Sequence, residues 1–591
     1  MLQSLGNTLA SIGGNYAVLA VVLAACWGIG SSAFRRIGLS SALPGGLHHP
    51  TAIAVGLGTM VCLLQALALA GHLRSAPVLL ALAFGVLLAC LEAWRWRAAP
   101  ATRRPSDLPG GWAALPFVER CALIVLLLVL ASTMLMPLSV PLQWDELMYH
   151  LPHAREWAAS GRLQVNDWLR YPWFPYNYDL LYAAALLFDS TSLAHMVHAA
   201  AGWLTAWLIY QLGLIHLGRI AACLAAVIWV VVTASDYDRA YVDMGVALFV
   251  LTGSIGFAHW RSTRARGWLA VSAFALGVAA GSKYQVLALL PFFAIALLWY
   301  DRRWSTWLIA TLALAVPCLY WYVRNAFATG DPFAPVGGRV FGFSDWNLSD
   351  YQAQFEDLRK NRGLPHWALW PALLAPWLPA LRRSPHARGA MILATWMMLV
   401  WVASSPYPRY LMSAFPLLAL LAAAGWMQLW QAVAPKIGIT RLERLQRLIA
   451  ALLLACVALT TLVSTARFAK RIATTPAARD ALLLSRVKGY GLWRYTAAHP
   501  VGKVYQIGLE GSLYYAPRPI RGDAFGPWRY RDYADLPPEA LYRRLSQEGF
   551  EALAINIDVM PAIASAPGFD RWFIPLHTEG GASLYRLAPS R

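Results

Sequence analysis

Charge is scarce in this chain: Asp, Glu, Lys and Arg make up 13% of its 591 residues, against roughly 25% in an average soluble domain. A soluble multidomain enzyme is all but excluded. Acids are scarcer than bases, with 30 Asp and Glu against 49 Lys and Arg and a formal charge of +19. The Arg residues sit in short gaps between apolar blocks and form no continuous basic face, so no nucleic acid is expected as a partner. There are seven cysteines, all in apolar stretches and none in a C-x-x-C pair, so they read as small core residues rather than metal ligands or a disulfide framework. Neither G-x-x-x-x-G-K-[ST] nor a Rossmann glycine pattern occurs, which removes a nucleotide-phosphate loop. The N-terminal MLQSLGNTLASIGGNY has no basic region ahead of its apolar run and reads as a retained first span, not a cleaved signal. No internal repeat of the transporter kind is visible.

What the chain has is hydrophobicity, at 58% of its residues, arranged in blocks. A helix crosses about 30 Å of hydrocarbon in about 20 residues. That ruler marks apolar segments near 15–34, 51–70, 77–96, 119–140, 192–215, 219–234 and 241–258. It continues near 268–282, 284–300, 304–323, 366–381, 388–404, 407–430 and 445–465, fourteen in all. Lys and Arg concentrate in every second loop, from Arg35/Arg36 through Arg95/Arg97/Arg103/Arg104, Arg219, Arg261/Arg264/Arg266, Arg302/Arg303 and Arg382/Arg383/Arg388 to Lys436/Arg441/Arg444. Cytoplasmic loops carry that excess, so 141–191, 235–240, 324–365, 404–408 and 466–591 are expected outside. The alternations KVYQIGL, EALAIN and SLYRL beside LPPEALYRRLSQEG predict strands and a helix in the last segment. The expected fold class is a polytopic α-helical membrane protein with a small extracytoplasmic α/β C-terminal domain. The high Ala, Leu and Arg content suggests a bacterial inner membrane, with that domain in the periplasm.

Chemistry is expected on the outer face. In PLQWDELMYHLPHAREW the acidic pair Asp145/Glu146 follows the end of a span at Pro141, and Tyr149, Pro152, His153 and Trp157 recur at helical spacing, as in a helix lying in the interface. An acidic pair on a solvated loop would look the same, but a second acid adds context. Asp243 in YVDMGVALFVL stands at the start of an unbroken apolar run, where a carboxylate is costly unless paired or facing water. It suits a plain helix cap less well than Asp236 or Asp238, which belong to the loop itself. Lys283 in GSKYQVLALLP, Arg324 in WYVRNAFATGDPF and Arg409 in SSPYPRYLMSAFP fall on the same face. Basic residues in short outer turns run against the positive-inside rule, and an anionic ligand such as a lipid phosphate explains them beyond simple snorkelling. His150 and His153 lack a third ligand for zinc. Asn347-Leu348-Ser349 is a formal glycosylation sequon without expected consequence.

These residues carry a resemblance. WDELMYHLPHAREWAASGRL resembles the Asp-Glu loop of the GT-C glycosyltransferases that use polyprenyl-phosphate sugars, among them protein O-mannosyltransferases and aminoarabinose transferases. YVDMGVALFVL resembles that superfamily's second acidic motif and GSKYQVLALLP its Lys-containing turn. WYVRNAFATGDPFAP is similar to the R-N-x-x-x-T-G-[ND]-P-x-x-P loop, and PRYLMSAFPLLALLAA to the late R-Y-x-x-x-x-P motif. They stand in family order over about residues 119–430. Residues 1–118 look like an added three-helix module before a catalytic membrane domain at 119–465 and a periplasmic domain at 466–591. YPWFPYNYDLLY departs from the pattern, with Tyr171, Pro172 and Pro175 where aminoarabinose transferases have a Lys before paired prolines.

The resemblance implies inverting transfer of a sugar from a polyprenyl-phosphate donor to a glycan, lipid or protein acceptor among the membrane lipids. Asp145 would be the base, Glu146 would orient it or hold the acceptor, and Asp243 would be the second acid. Lys283, Arg409 and, less directly, Arg324 would bind the phosphate, and Tyr149, His150, His153 and Tyr410 would contact substrate. No cofactor is required outright. A divalent cation between Asp145 and Asp243 is left open, because hard cations want several oxygen ligands and others are not seen to converge. The alternatives are a lipid or polysaccharide transporter or flippase, and a non-catalytic envelope assembly protein whose aromatic, Arg-rich tail GLEGSLYYAPRPIRGDAFGPWRYRDY binds a partner.

Overall fold

A segment surrounded by hydrocarbon has no water to satisfy its backbone and must close its own hydrogen bonds. In the computed structural model, which describes residues 2–39, 43, 45–98, 112–434, 439–517 and 519–589, the apolar blocks are therefore helical almost throughout. The order begins α1 (Leu2–Arg36), α2 (Gly45–Leu69), α3 (Ser75–Ala98), α4 (Phe117–Ala131), α5 (Leu151–Ser160) and α6 (Asp179–Leu186). It continues α7 (Thr191–His216), α8 (Arg219–Val232), α9 (Asp243–Thr263), α10 (Arg266–Ala280), α11 (Leu290–Tyr300) and α12 (Trp304–Thr329). Then follow α13 (Gly338–Phe341), α14 (Leu348–Lys360), α15 (Pro379–Arg383), α16 (Pro385–Ser404), α17 (Phe415–Val433) and α18 (Ile439–Ala469). Among the described residues, 8 helical stretches are long and apolar enough to cross a membrane, and α8, α10 and Tyr284–Tyr300 are shorter apolar helices. The protein is a polytopic helical membrane protein with a small sheet domain at its C-terminus. Arg103, Arg104 and Lys436, which the loop-charge reading used, lie outside the described residues.

One expected span takes another form. Within 366–381 the chain is a 3₁₀ helix, Trp367–Trp377, with Pro371 and Pro376 inside it. Prolines remove the donors an α-helix needs there, and 11 residues at about 2.0 Å each fall short of the hydrocarbon thickness. This segment lies against α17, where a Cβ on Gly425 would fall 2.2 Å from the Pro371 carbonyl oxygen. The cysteines also divide: Cys26, Cys121, Cys223 and Cys318 are buried, whereas Cys90 and Cys456 face outward. A thiol is apolar enough to stand on a lipid-facing surface, so an apolar run did not distinguish core from lipid.

The three N-terminal helices are joined by small residues that let backbones touch. A Cβ on Gly30 would fall 1.8 Å from the Ala52 oxygen, one on Gly56 1.8 Å from the Cys26 oxygen and one on Gly28 2.3 Å from the Gly85 oxygen. α2 also enters the main core, where Leu57, Met60, Val61 and Leu64 share one buried cluster with residues of α7 and α9.

The C-terminal sheet has the order β1 (Val504–Ile507), β2 (Ala552–Asn556), β4 (Ala582–Leu587), β3 (Phe573–Glu579). β1 and β2 are parallel and the other pairs antiparallel. The predicted helix forms as Pro538–Gln547. β3 was not expected, because Pro575 and polar residues break its alternation and the register shifts between Pro575 and His577. Its hairpin partner begins across Gly580 and Gly581, both at positive φ, as tight hairpins favour.

This domain is seated on α5 and the loop after it, and on α14 in the segment that follows α12. Arg170 donates to Asp523 and lies 3.4 Å from Glu510. Arg155 donates to the Tyr514 and Ala516 carbonyls at 2.6 and 2.9 Å. Arg529 pairs with Asp350 at 2.6 Å, and that acid also closes a capping box with Asn347 at the start of α14. Removing one member of a buried ion cluster costs about 3–5 kcal/mol. Arg170→Ala is therefore expected to loosen the C-terminal domain, read as faster limited proteolysis within 470–591 while the helical region stays protected; an unchanged cleavage rate would contradict the docking role of Arg170.

Candidate active site

The first outer loop begins where the 3₁₀ turn Met136–Leu138 leaves α4. After it, Glu146–His150 winds as one π-helical turn leading into α5, a local widening of the helix that occurs often at functional sites. The Glu146 carboxylate fixes this turn. Its Oε1 accepts the amides of Leu142 and Gln143, both at 2.7 Å, and its Oε2 accepts the Ala240 amide and the His195 Nε2, both at 2.8 Å. The side chain is fully buried, so it points into the protein and ties three segments together. Asp145, one residue earlier, points the other way.

Asp145 accepts from Arg409 at 2.7 Å, and Arg409 Nε lies 4.0 Å from Asp243. Asp243 is ion-paired with Lys283. Four elements deliver these groups: the π turn, the first residue of α9, the turn after α10, and the 3₁₀ helix Pro408–Ala414 before α17. Side-chain exposure is 18% for Asp145 and Arg409, 16% for Lys283 and 6% for Asp243, so Asp243 is the most enclosed member of the quartet and Asp145 the more accessible of its two acids. Tyrosines wall it: the Arg409 guanidinium lies 4.7 Å from the Tyr241 ring and 5.3 Å from Tyr407, and the Lys283 ammonium 4.6 Å from Tyr410. Such faces attract cations without neutralising them. The Arg409 Nε is buried with no hydrogen-bond acceptor.

Burial pushes the Asp145 carboxyl upward, but the Arg409 guanidinium outweighs it and holds the group below the ordinary Asp range. Glu146 is likewise depressed, burial being outweighed by His195 and by the amides of Gln143 and Ala240. Both acids are charged at neutral pH. Asp236 goes the other way, pushed up to about 6 by burial despite Arg239.

The remaining predicted residues divide. Tyr149 is partly buried at the edge of the quartet, its ring 4.1 Å from His150 and 5.2 Å from Tyr171. His150 is spent on a buried pair with Asp179 at 2.6 Å. His153 is 1% exposed, with Nε2 on the Arg170 carbonyl at 3.1 Å and Nδ1 meeting Asn166 at 3.2 Å. Its helical spacing marks the inner face of α5. Arg324 makes no ion pair with either acid among the described residues. It bonds the Asn325 side chain at 2.8 Å and lies over Trp173 and Trp321 at 5.4 and 5.0 Å. Asp236 and Asp238, expected in the open loop, are 5% and 7% exposed and pair with Arg239 at 3.4 Å, with Arg471 adding 3.6 Å to Asp238. Sequence reading missed Tyr241, although YVD puts it two residues from Asp243, and His195, whose partner lies 49 residues away.

A hard divalent cation does not fit this arrangement. It would need several oxygens, whereas Asp145 and Asp243 already face Arg409 and Lys283, and the described residues hold no group of three or more His, Cys, Asp or Glu placed for a metal.

ArnT from Cupriavidus metallidurans, in a crystal structure bound to undecaprenyl phosphate, is similar in fold, with a TM-score of 0.51 over 80% of this chain and 99% of that one at 16% identity. The apo form of the same protein gives 0.50 over 79% and 98% at 15% identity. The chain thus shares its overall fold with ArnT. A family model described as SF2091/S2213 matches residues 478–586, most of the C-terminal domain. An uncharacterized Shigella flexneri protein, SF2093/S2215, is 38% identical over 89 residues, 15% of this chain and 45% of that protein. A second, SF2092/S2214, is 47% identical over 53 residues, 9% of this chain and 29% of that one. The chain therefore spans less than half the length of these curated relatives.

Because Glu146 has a lower pKa folded than unfolded, its stabilisation is present in full above about pH 4.3 and is lost as pH falls through the depressed folded value. Glu146→Gln turns a donor toward buried amides and is expected to cost about 1–3 kcal/mol, read as a lowered thermal midpoint at pH 7 with a shallower acid-side decline. Asp145→Asn, which removes one partner of Arg409 at a less enclosed position, should lower the midpoint less than Glu146→Gln; the opposite order would reverse the roles given to the two neighbours.

Proposed function

We propose that the protein is an inverting glycosyltransferase that moves a sugar from a polyprenyl phosphate to an acceptor on the periplasmic side of a bacterial inner membrane. The observation that carries this reading is the convergence of Asp145, Asp243, Lys283 and Arg409 from four elements at one tyrosine-walled opening. The GT-C fold supports it. So does the distribution of basic loops, which puts this opening on the face away from the cytoplasm.

In the proposed reaction the acceptor hydroxyl or amine gives its proton to Asp145 as its lone pair forms the bond to the anomeric carbon. The bond from that carbon to the phosphate oxygen breaks, and polyprenyl phosphate leaves with the electron pair. Asp145 acts as the base because it is ionised and is the more accessible of the quartet's two acids. Lys283 and Arg409 offset the charge that builds on the departing phosphate, and the buried Arg409 Nε is a donor still free to receive it. Asp243 keeps both cations aimed. Glu146 acts through the loop it holds, as a positioning residue, and not on the acceptor. A flippase would need charges near the bilayer midplane; the quartet gathers at one end of α9 instead. The domain division at about 118 and 466 and the glycan, lipid or protein nature of the acceptor belong to this proposal as well.

The test is transfer of labelled sugar from a polyprenyl phosphate by the purified protein with an envelope acceptor fraction. Asp145→Asn should slow it by about 10²–10⁴-fold, the usual worth of a positioned base, with the protein still folded. Full activity of that variant would remove the proposed base. Arg409→Gln should impair use of the donor more than use of the acceptor, and an effect on acceptor kinetics alone would contradict its place at the phosphate.

A further inference from the structure

A large cavity lies away from the quartet. It has a volume of about 1780 Å³ and is lined by residues of α7, α9, α11, α15, α16 and α17. On every one of the longer helices the cavity takes in the end opposite to the Asp145 site: Asp243 opens α9, whereas the lining of α9 runs from Leu251 to Arg264. That length of helix extends about 20 Å at 1.5 Å per residue, slightly more than the ~15 Å of one leaflet of hydrocarbon.

The walls and the mouth differ in kind. The walls are apolar, with Leu251, Phe292, Phe293, Ile295, Leu393 and Leu420 among them. The mouth carries Arg261, Arg264, Arg383 and Arg388 together with His216 and His386, whose rings lie 5.7 Å apart. Among the described residues none of these four arginines has a carboxylate partner. Asp301 is the acid next along the chain from the Tyr300 carbonyl that Arg264 reaches at 3.2 Å, and it is taken by Arg303 at 2.9 Å. Arg261 donates to the Pro385 carbonyl at 3.3 Å. α16 is anchored in its second half, where Trp396 donates to the Ala288 carbonyl and Trp401 to the Tyr407 carbonyl, both at 2.8 Å, while its first residue, Pro385, meets Arg261 of α9.

We propose that this cavity is a binding site for an anionic phospholipid, distinct from the quartet and serving a different ligand. The headgroup phosphate meets the arginines at the mouth, and the acyl chains fill the space between α16 and α9. Charge complementarity favours an anionic headgroup over a zwitterionic one, and a depth near one leaflet fits acyl chains better than a much longer polyprenyl chain.

The experiment uses the full chain in detergent micelles and measures retained lipid by native mass spectrometry. The probes are palmitoyl-oleoyl phosphatidylglycerol, phosphatidylcholine with the same chains, and undecaprenyl phosphate. One phosphatidylglycerol should be retained at least tenfold more tightly than phosphatidylcholine, and Arg261→Gln with Arg388→Gln should erase that preference while phosphatidylcholine binding persists. Ala296→Trp, which fills the cavity without touching charge, should weaken both phospholipids. In the unmutated protein, a phosphatidylglycerol with a photoreactive chain should label peptides from 251–264 and 387–396. Equal affinity for the two phospholipids, a preference that survives the Arg substitutions, labelling elsewhere, or displacement of phosphatidylglycerol by equimolar undecaprenyl phosphate would each overturn the proposal.

Discussion

Two carboxylates held near each other in a largely apolar chain repel, and the end of the helical bundle that carries Asp145 and Asp243 is arranged around that repulsion. Arg409 lies between them, bonded to Asp145 and 4.0 Å from Asp243, and Lys283 takes the other side of Asp243. The four formal charges cancel, which is the condition under which ions tolerate poor solvation. The balance also makes the site responsive. An incoming phosphate adds negative charge, and a guanidinium with one donor unused can meet that charge while its pull on Asp145 is weakened. On the proposed reading, binding the donor and raising the basicity of the carboxylate that faces the acceptor are one event.

Such a cluster is only as precise as its supports, and here they come from elements far apart in sequence. Glu146 joins the amides of Leu142 and Gln143 to Ala240 and His195, fixing the loop of Asp145 to the approach of α9. Tyr182 donates to the Tyr241 carbonyl, so the ring beneath Arg409 is held from α6. Asn177 receives from Trp321 at 2.7 Å and donates to the Pro317 carbonyl at 2.8 Å, carrying the same loop onto α12. Over this frame the C-terminal domain closes through Arg155, Arg170 and Arg529. The domain thus bears on the loop that carries Asp145 without supplying a member of the quartet.

Much of this was legible in the chain because membrane burial writes a coarse, strong signal. Helices follow from apolar length, and charged residues at the margins of such runs are rare enough that Asp145, Asp243, Lys283 and Arg409 stand out singly. Pairing is not legible in the same way. Asp145 and Glu146 are adjacent and chemically alike, and only the π turn sends one to the opening and the other inward. His153 kept helical spacing with Trp157 whether it faced a ligand or the core. Asp236 and Asp238 read as loop acids because their partners, Arg239 beside them and Arg471 after α18, reveal nothing of burial. Pro371 and Pro376 were visible, yet an apolar run weighed more than its prolines. β3 was hidden for a related reason, since a register shift at Pro575 erases the alternation by which strands are recognised.

The two ends of the helical bundle treat cations differently, and the difference has a physical meaning. At the end that carries Asp145 and Asp243 each basic residue of the quartet has an acid, so the cluster is electrically complete before any ligand arrives and can exchange one partner for another. At the opposite end Arg261, Arg264, Arg383 and Arg388 ring an apolar cavity with no acid of their own among the described residues. On the proposal made above, those guanidiniums take their counter-charge from lipid headgroups. A self-neutralised cluster suits a ligand that comes and goes with each turnover, whereas an uncompensated one suits a resident. The same residue type thus takes two roles, set by whether the fold supplies the partner or leaves it to the membrane.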